Sequence, residues 1–169
     1  MLPEEKENPR LLLEQSRVPT WLDRQETGSV IYLSFGSLAF PNVAQIGELF
    51  KALLAIGQAF IFALRSKYHE HLPPDSRFLI VDWAPQALIL GHPATGVFIS
   101  HCGWNSTLES MYSGVPILAW PMFADQKVNA SSLVGKHLAV MVEDTSVTST
   151  RVVSAAEIAG LLGQHDLLN

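Results

Sequence analysis

Between Trp83 and Gln126, 44 residues, the chain gathers side chains that can stack, donate and accept. In order they are the indole of Trp83, the amide of Gln86, the imidazole of His101, the hydroxyl of Ser106, the carboxylate of Glu109 and the acid–amide pair Asp125-Gln126. A stacking surface, a phosphate-binding turn and a hydroxyl-binding pair follow one another, an order that suits a nucleotide carrying a sugar. The segment His101-Cys102-Gly103-Trp104-Asn105-Ser106 reads as a turn into a helix. The first N–H groups of a helix are unpaired and the dipole there is positive, so an anion is welcome. Gly103 would let a ligand approach the backbone closely. His101 can donate an imidazole N–H to an anionic oxygen, and Ser106 can add a hydroxyl.

Each of these features also has a reading that needs no ligand. Ser106-Thr107-Leu108-Glu109 has the form of a capping box, which would account for both Ser106 and Glu109. One turn beyond Asn105 and Ser106, Glu109 could instead accept two hydrogen bonds from a ribose diol, as an acidic residue does in dinucleotide folds. Taken by itself, Trp83 fits the core better, although an indole at a strand end can stack on a base. Gln86 reads as a base or ribose contact, or as surface. Asp125 and Gln126 read as a helix N-cap and first-turn residue, or as a pair bonding sugar hydroxyls, which need donors and acceptors alike.

The elements that would hold these groups alternate along the chain. Apolar strands are predicted at 30–35, 59–64, 78–81, 96–100, 116–119 and 138–142. Helices are predicted at 43–56, ended by Gly57, and at 85–90, with Pro85 in its first turn. Further helices are predicted at 105–112, 124–134 and 154–162, the last with Ser154 as cap and Glu157 three residues on. A short helical piece is expected at Pro19–Asp23 with Thr20 as cap. Strands that are apolar throughout, separated by helices, predict an α/β fold: a Rossmann-like parallel sheet with helices on both faces. Ligands of such sheets sit beyond the carboxyl ends of the strands. Ser37, Trp83 and Gln86, His101 to Ser106, and Asp125-Gln126 follow four different strands, so their loops should converge.

The bulk properties exclude several other classes. The 169 residues suffice for about one domain, and 48% are hydrophobic. Lys and Arg number 11 against 16 Asp and Glu, a net charge of −5, which argues against a nucleic-acid partner. Cys102 is the single cysteine, so no internal disulfide can form and a reducing, cytoplasmic setting is expected. No secretory leader is legible at the N-terminus, and Leu53 to Leu64 is too short and interrupted to span a bilayer. His69-Glu70-His71 lacks a third ligand nearby and reads as loop rather than metal site. G-x-G-x-x-G, G-x-x-x-x-G-K-[ST] and Asp-x-Asp are all missing from the sequence. Cys102, without a poised partner, reads as packing, and Met111, Met122 and Met141 read as core fillers.

The pattern W-A-P-Q … H-P-A … S-H-C-G-W-N-S … E … G-V-P … W-P … D-Q, spanning Trp83 to Gln126, closely resembles the signature box of plant-type UDP-dependent glycosyltransferases. Tyr32-Leu33-Ser34-Phe35-Gly36-Ser37 resembles the family's preceding strand and turn. The resemblance implies a GT-B fold, with this chain as its C-terminal, donor-binding domain. It implies that Trp83 stacks on uracil, that the Ala84 backbone and Gln86 help hold base and ribose, and that Glu109 binds the ribose hydroxyls. His101, Gly103, Ser106, Asn105, the backbone near Trp104 and the turn at Ser37 would hold the diphosphate. Trp104, Asp125 and Gln126 would face the sugar, with Gln126 leaning toward UDP-glucose.

The reaction so implied is inverting transfer of a hexose from a UDP-sugar to a hydroxyl of a small lipophilic acceptor in plant secondary metabolism. It requires no metal and no further cofactor. His101 would stabilise charge on the leaving diphosphate. The family's catalytic histidine and its aspartate lie in an N-terminal half. None is therefore expected here, and the chain alone is expected to be an inactive fragment needing that half in cis or trans. A stand-alone UDP-sugar-binding chain is the alternative. Residues 1–28 are expected to form a lead-in and 29–169 the binding domain, truncated at its end. The edge bearing Trp83, Trp104 and Trp120 is expected to be exposed.

Overall fold

A computed structural model describes residues 9–38, 40–71 and 77–163. The ends of the expected lead-in and binding domain, residues 1–8 and 164–169, lie outside that set. So do the side chains of Glu70 and His71 in the rejected metal motif.

The six predicted strands are present: β1 (Val30–Ser34), β2 (Ala59–Ala63), β3 (Phe78–Val81), β4 (Thr95–Ser100), β5 (Ile117–Ala119) and β6 (Ala139–Met141). They form one parallel sheet in the order β3-β2-β1-β4-β5-β6. Around it lie α1 (Pro9–Leu22), α2 (Val43–Ile56), α3 (Gln86–Leu90), α4 (Trp104–Ser113), α5 (Gln126–Gly135) and α6 (Ala155–Leu162), with a 3-10 turn over Ser66–His71. Alternation along β1 sends Ile31 and Leu33 to one face and Val30 and Tyr32 to the other. On the first face they join Leu49, Phe50 and Leu53 of α2 and Ile158 and Leu162 of α6. On the second they join Val18 and Leu22 of α1, Ile89 and Leu90 of α3, and Ala130 and Leu133 of α5. The fold is therefore the doubly covered α/β sheet that the apolar strands predict.

The lead-in differs from expectation. Thr20 is no cap: it lies inside α1, which passes through Pro19. Val18 and Leu22, one turn apart on either side of Pro19, are both fully buried against the sheet. That anchorage offsets the helix bond which proline cannot make.

Strand register explains where a ligand can enter. The last row of the sheet runs Val81, Ala63, Ser34, Ser100, Ala119, Met141 across the six strands. Four small side chains occupy the middle of this row. The loops leaving it can therefore sit low over the sheet, with room between them.

Candidate functional site

The topology turns over between β1 and β4. Crossovers from these two neighbours run to opposite sides, leaving a crevice beyond their carboxyl ends. There an open groove of about 1050 Å³ is lined by Ser37, Trp83, Ala84, Gln86, His101, Gly103, Trp104, Asn105, Ser106, Glu109 and Gln126. Asp125 is the one expected site residue that does not line it.

His101 sits at the turnover point. Its main-chain N–H donates to the Ser34 carbonyl at 3.4 Å. A Cβ built on either Gly36 or Gly103 would lie 2.6 Å from its Nε2, so the ring is clasped between two turns that only glycine can supply. Close approach of a ligand was the sequence argument for Gly103; the imidazole is the nearer reason. Burial depresses the His101 pKa, while the Ser34 backbone and the charge of Asp125 pull it back up. Its Nδ1 is buried without a hydrogen-bond partner among the described residues, a nitrogen still to be satisfied.

Cys102 turns the chain from β4 into α4 with φ +62°, a conformation uncommon outside glycine. Its carbonyl accepts from Asn129 Nδ2 at 3.0 Å and its N–H donates to Ser100 Oγ at 3.1 Å. Burial pushes the thiol up to about 12, so it is packing and not a nucleophile.

The capping-box reading of Ser106 is overturned. After the Cys102 turn, α4 begins at Trp104, with Gly103 at the N-cap and no side-chain cap. The first internal helix bond is Thr107 N–H to the Gly103 carbonyl, 3.0 Å, which leaves the amides of residues 104–106 without helical acceptors. Ser106 lies inside the first turn. Both Ser106 Oγ and Glu109 Oε2 accept from Gln86 Nε2, at 2.9 and 2.7 Å. The pair serves a cross-loop network rather than the helix end.

That network continues to a residue the sequence reading did not single out. Tyr32 Oη donates to Gln86 Oε1 at 3.1 Å. Burial raises the Tyr32 pKa above the usual phenol range, opposed by a Ser34 hydrogen bond and reinforced by the charge of Glu109, so the hydroxyl keeps its proton. A signal was available: a tyrosine inside a buried strand must find a partner for its hydroxyl.

The tryptophans divide. Trp83 is 40% exposed and Trp104 is 57% exposed, and neither stacks on another ring among the described residues. The core reading of Trp83 therefore fails. Trp120 corrects the opposite expectation: it is buried, edge-on to Phe35 with centroids 6.0 Å apart. Its main-chain N–H donates to the Ser100 carbonyl at 2.7 Å, prolonging the ladder of β5.

Asp125 occupies the N-cap position of α5 with helical backbone and no side-chain cap. Its carboxylate accepts from Asn129 Nδ2 at 2.9 Å. Gln126 is buried, and its Oε1 accepts from the main-chain N–H groups of Met122 and Phe123, at 2.9 and 3.1 Å. Its Nε2 is left as the end able to meet a ligand. Across the groove, the exposed Ser37 offers its carbonyl to Arg65 Nη2, and the Arg65 guanidinium lies 5.0 Å above the Phe40 ring. Arg65 and Phe40 both line the groove and were not singled out from sequence. Met111 is no core filler: with Leu108 and Tyr112 it makes an exposed apolar face on α4. Met122 is buried as expected.

Among the described residues no helix is long and apolar enough to cross a membrane, and no group of three His, Cys, Asp or Glu could hold a metal ion.

Residues 18–159 match the family model for UDP-glucoronosyl and UDP-glucosyl transferase. UDP-glycosyltransferase 71C3 of Arabidopsis thaliana is 40% identical over 164 residues, covering 88% of this chain and 34% of that protein. UDP-glycosyltransferase 71A15 of Malus domestica is 43% identical, covering 85% and 35%. Among solved structures, a UGT transferase from Siraitia grosvenorii in complex with UDP superposes with a TM-score of 0.84, at 36% identity, over 96% of this chain and 42% of that one. UGT71G1 of Medicago truncatula, complexed with UDP-glucose, gives 0.83 at 37% identity, over 96% and 37%. The chain spans about a third of the length of the curated relatives it matches. It belongs to the UDP-glucoronosyl and UDP-glucosyl transferase family.

Proposed function

From that membership we propose that the chain is the donor-binding part of a UDP-hexosyltransferase, and that the groove between β1 and β4 receives the UDP-sugar. The observation carrying this reading is the convergence of an exposed indole, an uncapped helix start and a free carboxylate oxygen in one groove. Uracil stacks on Trp83, beside the Ala84 backbone. Glu109 takes the ribose diol through Oε1, the oxygen that Gln86 does not engage. The amides of residues 104–106, the Ser106 hydroxyl and His101 receive the diphosphate, with Asn105 and the Ser37 turn beside it. As the sugar departs, charge grows on the diphosphate. Fixed N–H dipoles and the imidazole meet it without reorganising.

The sugar lies toward Trp104, Gln126 and the neighbouring Asp125. Because the Gln126 carbonyl is engaged by the backbone, this residue contributes an N–H donor to a sugar hydroxyl. Glucose is the hexose we assign, and the complexed UDP-glucose of the Medicago relative supports it. Residues from 29 onward, with α1 packed on their sheet, form the binding domain, in a cytoplasmic protein of plant small-molecule metabolism. The pocket for the lipophilic acceptor and the general base come from residues beyond this groove, in cis or in trans, so that binding without turnover is expected of the 169 residues.

Calorimetric titration with UDP tests the reading. Saturable binding that Trp83→Ala weakens about tenfold, the scale of one lost base-stacking contact, supports it. A folded chain without measurable UDP binding overturns it.

A further inference from the structure

We propose that Tyr32, in the core beneath the groove, is a positioning residue for Glu109, acting through the amide of Gln86. The proposal rests on the donor reading above, in which Glu109 holds the ribose diol. Tyr32 is 1% exposed, and its ring stacks on Phe98 with centroids 4.8 Å apart and planes 14° apart. Its hydroxyl is thus a fixed point, set by the core rather than by a loop. Gln86 opens α3 on a side chain with three rotatable bonds, and by itself would sample many positions. Tyr32 Oη holds the oxygen end of its amide at 3.1 Å. The nitrogen end must then point away, and its two hydrogens are spent on Ser106 Oγ and Glu109 Oε2. One carboxylate oxygen is held while the other, Oε1, stays available. The groove's carboxylate is thereby aimed before any nucleotide arrives, a preorganisation that lowers the ordering cost of binding.

In this scheme both N–H donors of Gln86 are used within the protein. It touches the nucleotide less than it orients the group that does, and the effect of Tyr32 falls chiefly on the sugar hydroxyls, because the long Glu109 side chain depends on the relay more than the short Ser106 side chain, which the first turn of α4 already places. That bias separates positioning from general support of the fold. Tyr32→Phe keeps the ring and its packing and removes only the hydroxyl.

The test is titration of wild type, Tyr32→Phe and Glu109→Gln with UDP and with 2′-deoxyuridine 5′-diphosphate. The expected result is that Tyr32→Phe weakens UDP binding roughly three- to tenfold, the scale of one net hydrogen bond. It should change binding of the deoxy nucleotide less than about twofold, a narrowing of the ribose preference that Glu109→Gln reproduces more strongly. Equal losses for both nucleotides would mean general support and overturn the assignment, as would unchanged binding of both. Should Tyr32→Phe fold poorly, Gln86→Met, which breaks the relay from its other end, must show the same selective loss. A wild-type chain that binds neither nucleotide overturns the donor reading and this assignment with it. A wild type that binds UDP beside a Tyr32→Phe variant that binds it equally overturns the assignment alone.

Discussion

The helices on the two faces of the sheet begin in different ways. On one face α2 and α6 are closed by side chains: Asn42 Oδ1 accepts from the Gln45 N–H at 2.9 Å, and Ser154 Oγ from the Glu157 N–H at 3.3 Å. On the other face α3, α4 and α5 start at Pro85, Gly103 and Asp125 with no side-chain cap. Their inward surfaces differ as well. Helix α2 buries Ile46, Leu49, Phe50 and Leu53, whereas α4 buries Ser106, Thr107 and Ser110. The first pattern satisfies the helix from within and contributes apolar burial. The second leaves donors open to the groove and contributes little hydrophobic stabilisation of its own. Between α2 and α4, apolar burial and open donors are thus separated, one helix supplying each.

Substitutions can break that division, and the largest effect is expected in the closed helix. Leu53→Ala, at a fully buried position, should cost about 2–5 kcal/mol of stability. UDP affinity of the molecules that remain folded should be unchanged, as read by denaturant titration and calorimetry. The converse change is Gly103→Ala. Its Cβ falls 2.6 Å from His101 Nε2, so the ring must shift, at about 1–3 kcal/mol for an overpacked site. Here we expect UDP affinity to drop by about tenfold or more, out of proportion to the change in melting temperature.

A subtler contrast comes from Asn42→Ala, which removes a real cap. About 1 kcal/mol of stability should be lost, seen as a fall of about 2–4 °C in Tm, with UDP binding intact. If binding fell as well, the two faces would not be independent. The smallest effect concerns pH. Burial holds His101 below its ordinary pKa, so on acidification the unfolded chain takes up this proton first. Stability should therefore fall as pH drops from about 6.5 toward the folded value and level off below it. His101→Asn should flatten that part of the stability curve while also weakening UDP binding.

Much of the fold was legible because it is a matter of local pattern. Six apolar runs, five of them followed by a polar turn and a helical stretch, leave little choice but a parallel sheet covered on both faces. The rule that ligands gather beyond its carboxyl ends then brought Ser37, Trp83, Gln86, His101, Glu109 and Gln126 to one place. Other features depended on distances no local window contains. Both Trp83 and Trp120 follow strands. One opens onto the groove and the other closes against Phe35, because Trp120 continues the β5 ladder on the same face as Leu118, whereas Trp83 lies past the end of β3. Ser106 and Glu109 have capping-box spacing, yet the left-handed turn at Cys102 starts the helix early enough to place Ser106 inside it.

By itself, then, the sequence determined the order of the elements, the sidedness of the sheet and the set of groups offered to a ligand, since these follow from residue types and short spacings. Tertiary structure decided which atom of each group is offered. Tyr32 meets Gln86 across 54 positions and Gln86 meets Glu109 across 23, while Met122 and Phe123 take the oxygen of Gln126 and leave its nitrogen. An amide can donate or accept, and a serine can cap or bridge. Only the neighbours that folding brings within about 3 Å choose between those capacities.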